Sequence, residues 1–261
     1  MEKKATIYDV AKVAGVSVAT VSYVINNTEG HSIREETKNK VWHVINLLNY
    51  KPSAFAKNLR TSTSKLVAVC TECKNYIERA ELVVVLERLS CSLRNKFDLV
   101  FCSSPYGRIP TADAIIVYNM TKESFHEIGK QNYVPLIAVD CLVDDKLFFQ
   151  VSADYTKLKR QAEEYFSDKF TFVCLTPTDE SLKNEISATF ENVVFVNSSE
   201  DLRNVTDNNV LTTSGLIEEF LVGLNKKVMY CDVYSPICRQ TADCISKALS
   251  RERFDVHSYK V

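Results

Sequence analysis

The chain has 261 residues, 46% of them hydrophobic and 25% charged, and its formal net charge is −1. The sequence contains no apolar run of about 18 residues, which argues against a membrane-spanning helix. The near-neutral total hides an asymmetry, because residues 1–65 hold ten Lys and Arg against five Asp and Glu, whereas residues 66–261 hold 22 against 28. A basic N-terminal segment on an acidic body is a sign of contact with nucleic acid.

The first predicted element is a pair of short helices separated by Gly15. Thr6 is expected to cap the first helix, with Asp9 at capping-box spacing, and Ser17 is expected to cap the second. The apolar residues on their inner faces are Ile7, Val10, Ala11, Ala14, Val21, Val24 and Ile25, and those left facing outward on the second helix are Val18, Ala19, Ser22, Tyr23 and Asn26. Two helices joined by a tight glycine turn are typical of the helix-turn-helix, whose second helix enters the major groove of DNA.

A third helix is predicted to begin after Ser32, with Glu35 at capping-box spacing. Its inner-face residues are Val41, Val44, Ile45 and Leu48. They are expected to close a small three-helix core.

After a polar linker at 61–65, apolar runs of strand character alternate with helical stretches. The predicted strands are LVAVC, DLVFC, AIIVY, PLIAVD, FTFVCL, VVFV, NVLTT and VMYCD. The predicted helices fill residues 78–95, 121–131, 154–166, 198–204, 215–224 and 236–250. This alternation implies parallel sheets covered by helices on both faces.

From Thr6 to Arg60 the sequence resembles the headpiece of the LacI/GalR family of bacterial repressors, with likeness to its purine repressor and catabolite control protein types. The segments that carry the resemblance are TVSYVIN, EETKNKVW and YKPSAFAKNL. The resemblance implies three parts: a helix-turn-helix headpiece over residues 1–50, a hinge helix and linker over 51–65, and an effector-binding and dimerisation core over 66–261. That core is expected to be a shortened α/β structure of two lobes, related to periplasmic sugar-binding proteins. The shortening is expected after DLVFCSS and again near the C-terminal end, where SPICRQTADCISKAL and FDVHSYKV resemble a compressed last helix and closing strand.

The same resemblance assigns DNA contacts in the headpiece. The residues expected to hold phosphates are Tyr8, Ser17, Thr20, Ser22, Asn26 and Tyr50, and those expected to face bases are Ile7, Val18, Ala19 and Tyr23. Val18 and Ala19 can touch thymine methyl groups but make no bidentate bonds. Because Tyr23 stands where many relatives carry arginine, we expect the reading of guanine from that position to be lost.

The resemblance also implies that the hinge forms a helix on operator DNA. Leu59 matches the leucine that wedges into the central minor-groove step, where it unstacks and bends the duplex. Ser53 is expected to cap the hinge helix, Ala56 to lie against the groove, and Lys57 and Arg60 to reach phosphates or base edges. Two hinges side by side require a homodimer on a pseudo-palindromic operator.

Ligand chemistry in the core departs from the family pattern. The arginine that usually follows the strand matching FTFVCL is absent, and the usual Asn-Asp pair is replaced by Thr213 and Ser214. Tyr76, Asp154 and Asp232 remain as candidate effector-binding residues. The alternatives to ligand binding are a surface tyrosine for Tyr76 and a helix N-cap for Asp154. The effector is expected to be a small molecule of the sugar or purine class, with a protein corepressor, or no effector at all, as alternatives.

Nine cysteines raise the question of metal or redox chemistry, above all Cys70 and Cys73. A zinc site needs a second close pair or histidines at ligand spacing, and the sequence has neither, so we expect no metal and no cofactor. The glycine motifs of phosphate-binding loops and nucleophile elbows are also absent, which argues against an enzyme with a DNA-binding head. Redox sensing through the two cysteines stays open. With no signal peptide, the protein is expected in the cytoplasm with reduced thiols.

Overall fold

The computed structural model describes residues 5–26, 33–48, 50, 66–94, 96–103, 107–250 and 255–261. The chain divides into two compact units, residues 1–64 and residues 65–261. We call them the headpiece and the body. The predicted hinge and linker, residues 51–65, lie outside the described residues.

The described headpiece contains three helices: α1 Ile7–Ala14, α2 Val18–Asn26 and α3 Glu35–Leu47. The predicted capping box is observed, since the Thr6 backbone N–H donates to the Asp9 carboxylate at 2.8 Å and the Asp9 N–H donates to the Thr6 hydroxyl at 3.4 Å. Gly15 ends α1 with φ +66°, a left-handed conformation that glycine adopts without steric cost. The Thr20 N–H donates to the Ser17 hydroxyl at 3.0 Å, so the second predicted cap is also observed.

The three helices close one apolar core, as the sequence predicts. Its buried members are Val10, Ala11, Ala14, Val21, Val24, Val41, Val44 and Ile45. The axes of α1 and α2 are bent by 106° from one another, within the range typical of a helix-turn-helix. Among the described residues no single helix is long and apolar enough to cross a membrane, and only α1 and the Val18–Ile25 part of α2, taken together across their bend, pass that test.

The body alternates strands and helices. Its strands are β1 Leu66–Thr71, β2 Asp98–Ser103, β3 Ala114–Tyr118, β4 Leu136–Val139, β5 Phe149–Ser152, β6 Thr171–Leu175, β7 Val193–Val196, β8 Asn209–Thr212, β9 Lys227–Tyr230 and β10 Ser258–Lys260. Its described helices are α4 Tyr76–Leu93, α5 Lys122–Gln131, α6 Tyr155–Phe166, α7 Glu180–Thr189, α8 Ser199–Arg203, α9 Gly215–Gly223 and α10 Tyr234–Ser250.

Two sheets result, and every pairing in them is parallel, as the alternation predicts. The first sheet has the order β10-β5-β4-β3-β1-β2 and the second has the order β7-β6-β8-β9. After β9 the chain returns to the first sheet, where α10 packs on α4 and β10 pairs with β5, Tyr259 opposite Val151. This return is the compressed last helix and closing strand expected from the sequence.

Two elements of the body were missed from the sequence. The strand β5 reads FQVS, too short and too polar to resemble the other buried strands. The helix α7 begins after Asp179, whose side chain accepts from the Leu182 N–H at 2.8 Å, and the sequence pattern does not predict it. Between β2 and β3 the described residues 107–113 contain no helix, in line with the predicted shortening.

The two sheets share one core. A continuous cluster of buried apolar side chains includes Val69 and Ile116 of the first sheet together with Phe172 and Leu211 of the second. The opposite face of the first sheet packs against α5, and the opposite face of the second sheet packs against α8 and α9. The lobes of the body are therefore joined through apolar contacts as well as by the chain.

Candidate nucleic-acid interface

The helix α2 presents a small, weakly polar surface. Ser17 and Ala19 are exposed, whereas Thr20, Ser22 and Tyr23 are half-buried. The hydroxyl oxygens of Ser17 and Thr20 lie 2.9 Å apart, so one donates to the other and together they mark the start of the helix. A helix start that presents hydroxyl and backbone N–H groups suits phosphate oxygens.

Two residues expected to face bases also contact the headpiece core. Ile7 and Val18 are half-buried and pack against the core helices. The part of each side chain that stays exposed is available for apolar contact with a base edge. Neither residue contributes a polar group to that surface.

Two tyrosines expected to hold phosphates occupy different settings. Tyr8 on α1 is 71% exposed. Tyr50 is half-buried against the headpiece core, its N–H donates to the Ile45 carbonyl at 2.9 Å, and burial raises the pKa of its hydroxyl. Tyr50 therefore keeps its proton at neutral pH and is suited to donate a hydrogen bond to a phosphate.

Six predicted contacts cannot be placed on this surface. The side chain of Asn26 and the hinge residues Ser53, Ala56, Lys57, Leu59 and Arg60 lie outside the described residues.

Comparison with known proteins identifies this headpiece. Residues 6–53 match a family described as "Bacterial regulatory proteins, lacI family". The segment that contains the three headpiece helices is thus a LacI-family segment. The purine repressor PurR of Actinobacillus pleuropneumoniae serotype 5b is 45% identical over 83 residues, which are 32% of this chain and 24% of that protein. The regulator pepR1 of Lactobacillus delbrueckii subsp. lactis is 30% identical over 170 residues, 60% of this chain and 50% of that protein. The matches thus span between a quarter and a half of these LacI-family relatives.

Solved structures extend the likeness to the body at the level of fold. The lac repressor bound to ONPG superposes with a TM-score of 0.64 at 11% identity, covering 99% of this chain and 97% of that one. A LacI-family regulator from Silicibacter pomeroyi gives a TM-score of 0.57 at 16% identity, covering 98% and 96%. At these identities the body shares the two-lobed architecture of the LacI family, while its side-chain chemistry must be judged from its own residues.

The three candidate effector residues lie in different local settings. Tyr76, the first residue of α4, is 85% exposed, with the guanidinium of Arg79 at 5.5 Å from its ring centre. Asp154 caps α6, accepting from the Lys157 N–H at 2.9 Å. Asp232 pairs with Arg88, which lies twelve residues and about 18 Å further along α4 than Tyr76.

The Asp232 carboxylate holds together the start of α10. It forms an ion pair with Arg88 and accepts from the Ser235 hydroxyl at 2.7 Å and the Ser235 N–H at 3.1 Å. Burial raises the pKa of Asp232, but the hydrogen bonds from Arg88 and Ser235 outweigh it, and the net shift is downward. The aspartate is therefore ionised and committed to partners within the chain.

Ser214, which stands where relatives carry the Asn-Asp pair, also bonds within the chain. The Ser214 hydroxyl donates to the carboxylate of Glu81 on α4 at 2.6 Å, and both residues are 2% exposed. Burial raises the pKa of Glu81, partly offset by the bond from Ser214 and the charge of Arg88. Sequence reasoning missed both Glu81 and Arg88, although a glutamate on the apolar stripe of Leu82 and Val85 was a usable signal.

A second carboxyl group lies beside three buried tyrosines. Asp140 follows β4 with φ +48°, and its Oδ1 atom is buried without a hydrogen-bond partner among the described residues. Burial raises its pKa to about 7. Its charge would act on the hydroxyls of Tyr118, Tyr155 and Tyr234, all buried. The three tyrosines belong to the apolar core that the two sheets share.

The cysteines form no cluster with other metal ligands in the described part of the chain. Cys70 and Cys102 lie opposite each other on β1 and β2. Burial raises the pKa of Cys70 to about 12 and raises those of Cys73 and Cys102 as well. These shifts disfavour the thiolate on which redox chemistry depends.

Proposed function

We propose that the protein is a sequence-specific DNA-binding transcription regulator, a repressor, that binds a pseudo-palindromic operator as a homodimer. The observation that carries this proposal is the headpiece itself: a helix pair bent by 106° on its own apolar core, within the segment that matches the LacI family. The relatives it matches are named as repressors or regulators. By that likeness the protein acts in the cytoplasm as a regulator rather than as an enzyme.

In this proposal α2 lies in the major groove. Phosphate contacts from Tyr8, Ser17 and Thr20 position the helix, with Ser22, Asn26 and Tyr50 in the same role. Ile7, Val18, Ala19 and Tyr23 face the bases. Since three of these four side chains are aliphatic, the half-site is read through thymine methyl groups and through the tyrosine rather than through bidentate bonds to guanine.

The hinge supplies the second half of recognition. Leu59 of each subunit inserts into the central minor-groove step and bends the operator, while Ser53 caps the hinge helix and Ala56 lies against the groove. Lys57 and Arg60 contact phosphates or base edges.

Because the wedge requires two adjacent hinges, specific binding requires the homodimer, whereas nonspecific binding does not.

DNA selection from a random library with the full-length protein tests this function. We expect an enriched palindrome with an A·T-rich pattern in each half-site. Ala19→Glu places a carboxylate on the exposed base-facing surface of α2 and should abolish enrichment, because it repels the DNA backbone. Ala188→Glu, the same substitution at an exposed position of α7 in the body, should leave the selected sequence unchanged. A library without any enriched motif would overturn the function, and a single asymmetric site would overturn the dimer.

A further inference from the structure

Two glutamates lie one turn apart on the buried face of α4 and contact different parts of the body. Glu78, 5% exposed, accepts from the Lys74 N–H at 2.6 Å and from the Asn75 amide at 2.9 Å, so its bonds stay within its own helix start. Glu81 accepts from Ser214, which follows β8 of the second sheet. Only the second of these two carboxylates joins the lobes.

The hydroxyl hydrogen of Ser214 is not available to a ligand at this junction. Its hydrogen is donated to Glu81 at 2.6 Å, and its oxygen accepts from the Ile217 N–H at 3.4 Å and caps α9. Glu81 therefore accepts the hydrogen bond from Ser214 that an oxygen atom of a ligand would otherwise accept. Because both groups are buried, separating them exposes an unpaired carboxylate or an unpaired hydroxyl.

The next strand is tied to the same helix. Two turns beyond Glu81, Arg88 pairs with Asp232 and donates to the Ser235 hydroxyl at 2.7 Å and to the Tyr230 hydroxyl at 3.5 Å. Tyr230 ends β9, and Asp232 precedes α10. The carboxyl ends of β8 and β9, which are neighbours in the second sheet, are thus both anchored on α4.

Two further contacts cross between the lobes. Asn119, after β3 of the first sheet, accepts from the Thr178 N–H, after β6 of the second sheet, at 3.0 Å. Lys260 of β10 pairs with Glu185 of α7 at 2.7 Å. With the shared apolar core, these bonds connect the first sheet or α4 to segments that follow β6, β8 and β9.

We propose that the body is a clamp held shut by its own side chains, so that operator binding by the headpiece does not respond to sugars or purines. The operator part of this inference rests on the proposed function, whereas the clamp itself does not. A ligand shifts a conformational equilibrium only by its differential affinity for two states. Because the side chains of the Glu81–Ser214 and Arg88–Asp232 pairs already bond to each other, a ligand that opened the clamp would first have to replace their bonds.

A double-mutant cycle on the full chain tests the clamp. Glu81→Ala and Ser214→Ala should show coupled effects on urea unfolding, because each removes the same bond. The matched cycle of Glu78→Ala with Ser214→Ala should be additive, since Glu78 bonds only to its own turn. Additivity in both cycles would overturn the Glu81 latch.

Amide hydrogen exchange shows which residues lose protection when the Glu81–Ser214 bond is removed. In Glu81→Ala the amides of residues 209–217 should exchange about tenfold faster than in Glu78→Ala, because only the first variant removes the bond between α4 and the segment after β8. Glu81→Gln keeps an acceptor for Ser214 and should restore most of the protection, which provides a second test if the alanine variant does not fold. Equal exchange in the Glu78 and Glu81 variants would contradict the clamp.

Operator affinity provides the regulatory test. Fluorescence anisotropy with the selected operator is measured with and without a panel of hexoses, pentoses, nucleosides and purine bases. We expect the Kd to stay within about twofold for every compound. A change of about tenfold with any one compound would overturn ligand independence. If the library yields no operator, the proposed function fails, whereas the cycle and the exchange experiment still decide the clamp.

Discussion

The headpiece and the body bury different kinds of group. Every buried residue among the described positions of the headpiece is apolar, whereas the body also buries Glu78, Glu81, Gln150, Asp179 and several threonines. A headpiece that keeps its polar groups at the surface has them available for phosphates and bases. A body that pairs its polar groups internally gains a fixed arrangement of its lobes and has fewer groups left for a ligand.

The largest effect is expected from a charge placed in the headpiece core. Val21 is fully buried, so Val21→Asp should destabilise the headpiece by about 3 kcal/mol or more and abolish specific DNA binding. The melting transition of the body, followed by calorimetry, should stay at its wild-type temperature. Val13→Asp, at an exposed position of α1, is the matched control and should change neither property strongly. A body transition that falls with the headpiece would show that the two units fold as one.

The stability of the body should depend on pH through Asp140, whose Oδ1 atom is buried. Because the folded-state pKa of Asp140 is raised to about 7, the folded body binds this proton more tightly than the unfolded chain does. Its contribution to stability is complete below about pH 4, falls by at most about 1.4 kcal/mol per pH unit as the pH rises to about 7, and stays constant above that.

Urea unfolding at several pH values checks this dependence. Asp140→Asn should flatten the slope between pH 4 and pH 7 and stabilise the body at neutral pH. Asp154→Asn, at the surface cap of α6, retains Asp140 and should keep the slope. An unchanged slope in Asp140→Asn would assign the pH dependence to other groups.

The hinge should separate specific from nonspecific binding. Leu59→Ala removes the proposed wedge and should weaken operator binding about tenfold or more, with little effect on random DNA, because only the operator complex contains the bent step. Lys57→Ala serves as the contrast, since loss of a phosphate contact should weaken both complexes and lower the salt slope by about 1. Equal losses in both complexes for Leu59→Ala would defeat the wedge.

The smallest effects on stability are expected from alanine substitutions at two glycines with different backbone conformations. Gly15 has φ +66°, so Gly15→Ala should destabilise the headpiece by about 1–2 kcal/mol. Gly223 ends α9 with open space around it, and Gly223→Ala should stabilise the body by about 0.4–1 kcal/mol. Thermal melts of both variants check the opposite signs. A loss of the same size in the two units would show that side-chain crowding, rather than φ, sets the cost.

Much of the headpiece follows from the sequence alone. The caps at Thr6 and Ser17, the turn at Gly15 and the apolar stripes of three helices all depend on residues three or four positions apart. The alternation of strands and helices in the body follows from equally local patterns, although the short, polar β5 and the helix α7 escaped it. Local patterns of this kind fix which segments form and which faces turn inward.

Only the tertiary structure decided what the buried polar groups of the body contact. Glu81 and Ser214 are 133 positions apart in the chain, and Arg88 and Asp232 are 144 apart. In the sequence, Glu81 and Arg88 look like surface charges of a helix. Ser214 looks like a helix cap, and Asp232 looks like a ligand anchor. Their roles depend on which strand ends the fold places against α4. Burial then makes internal pairing more favourable than leaving any one of them alone.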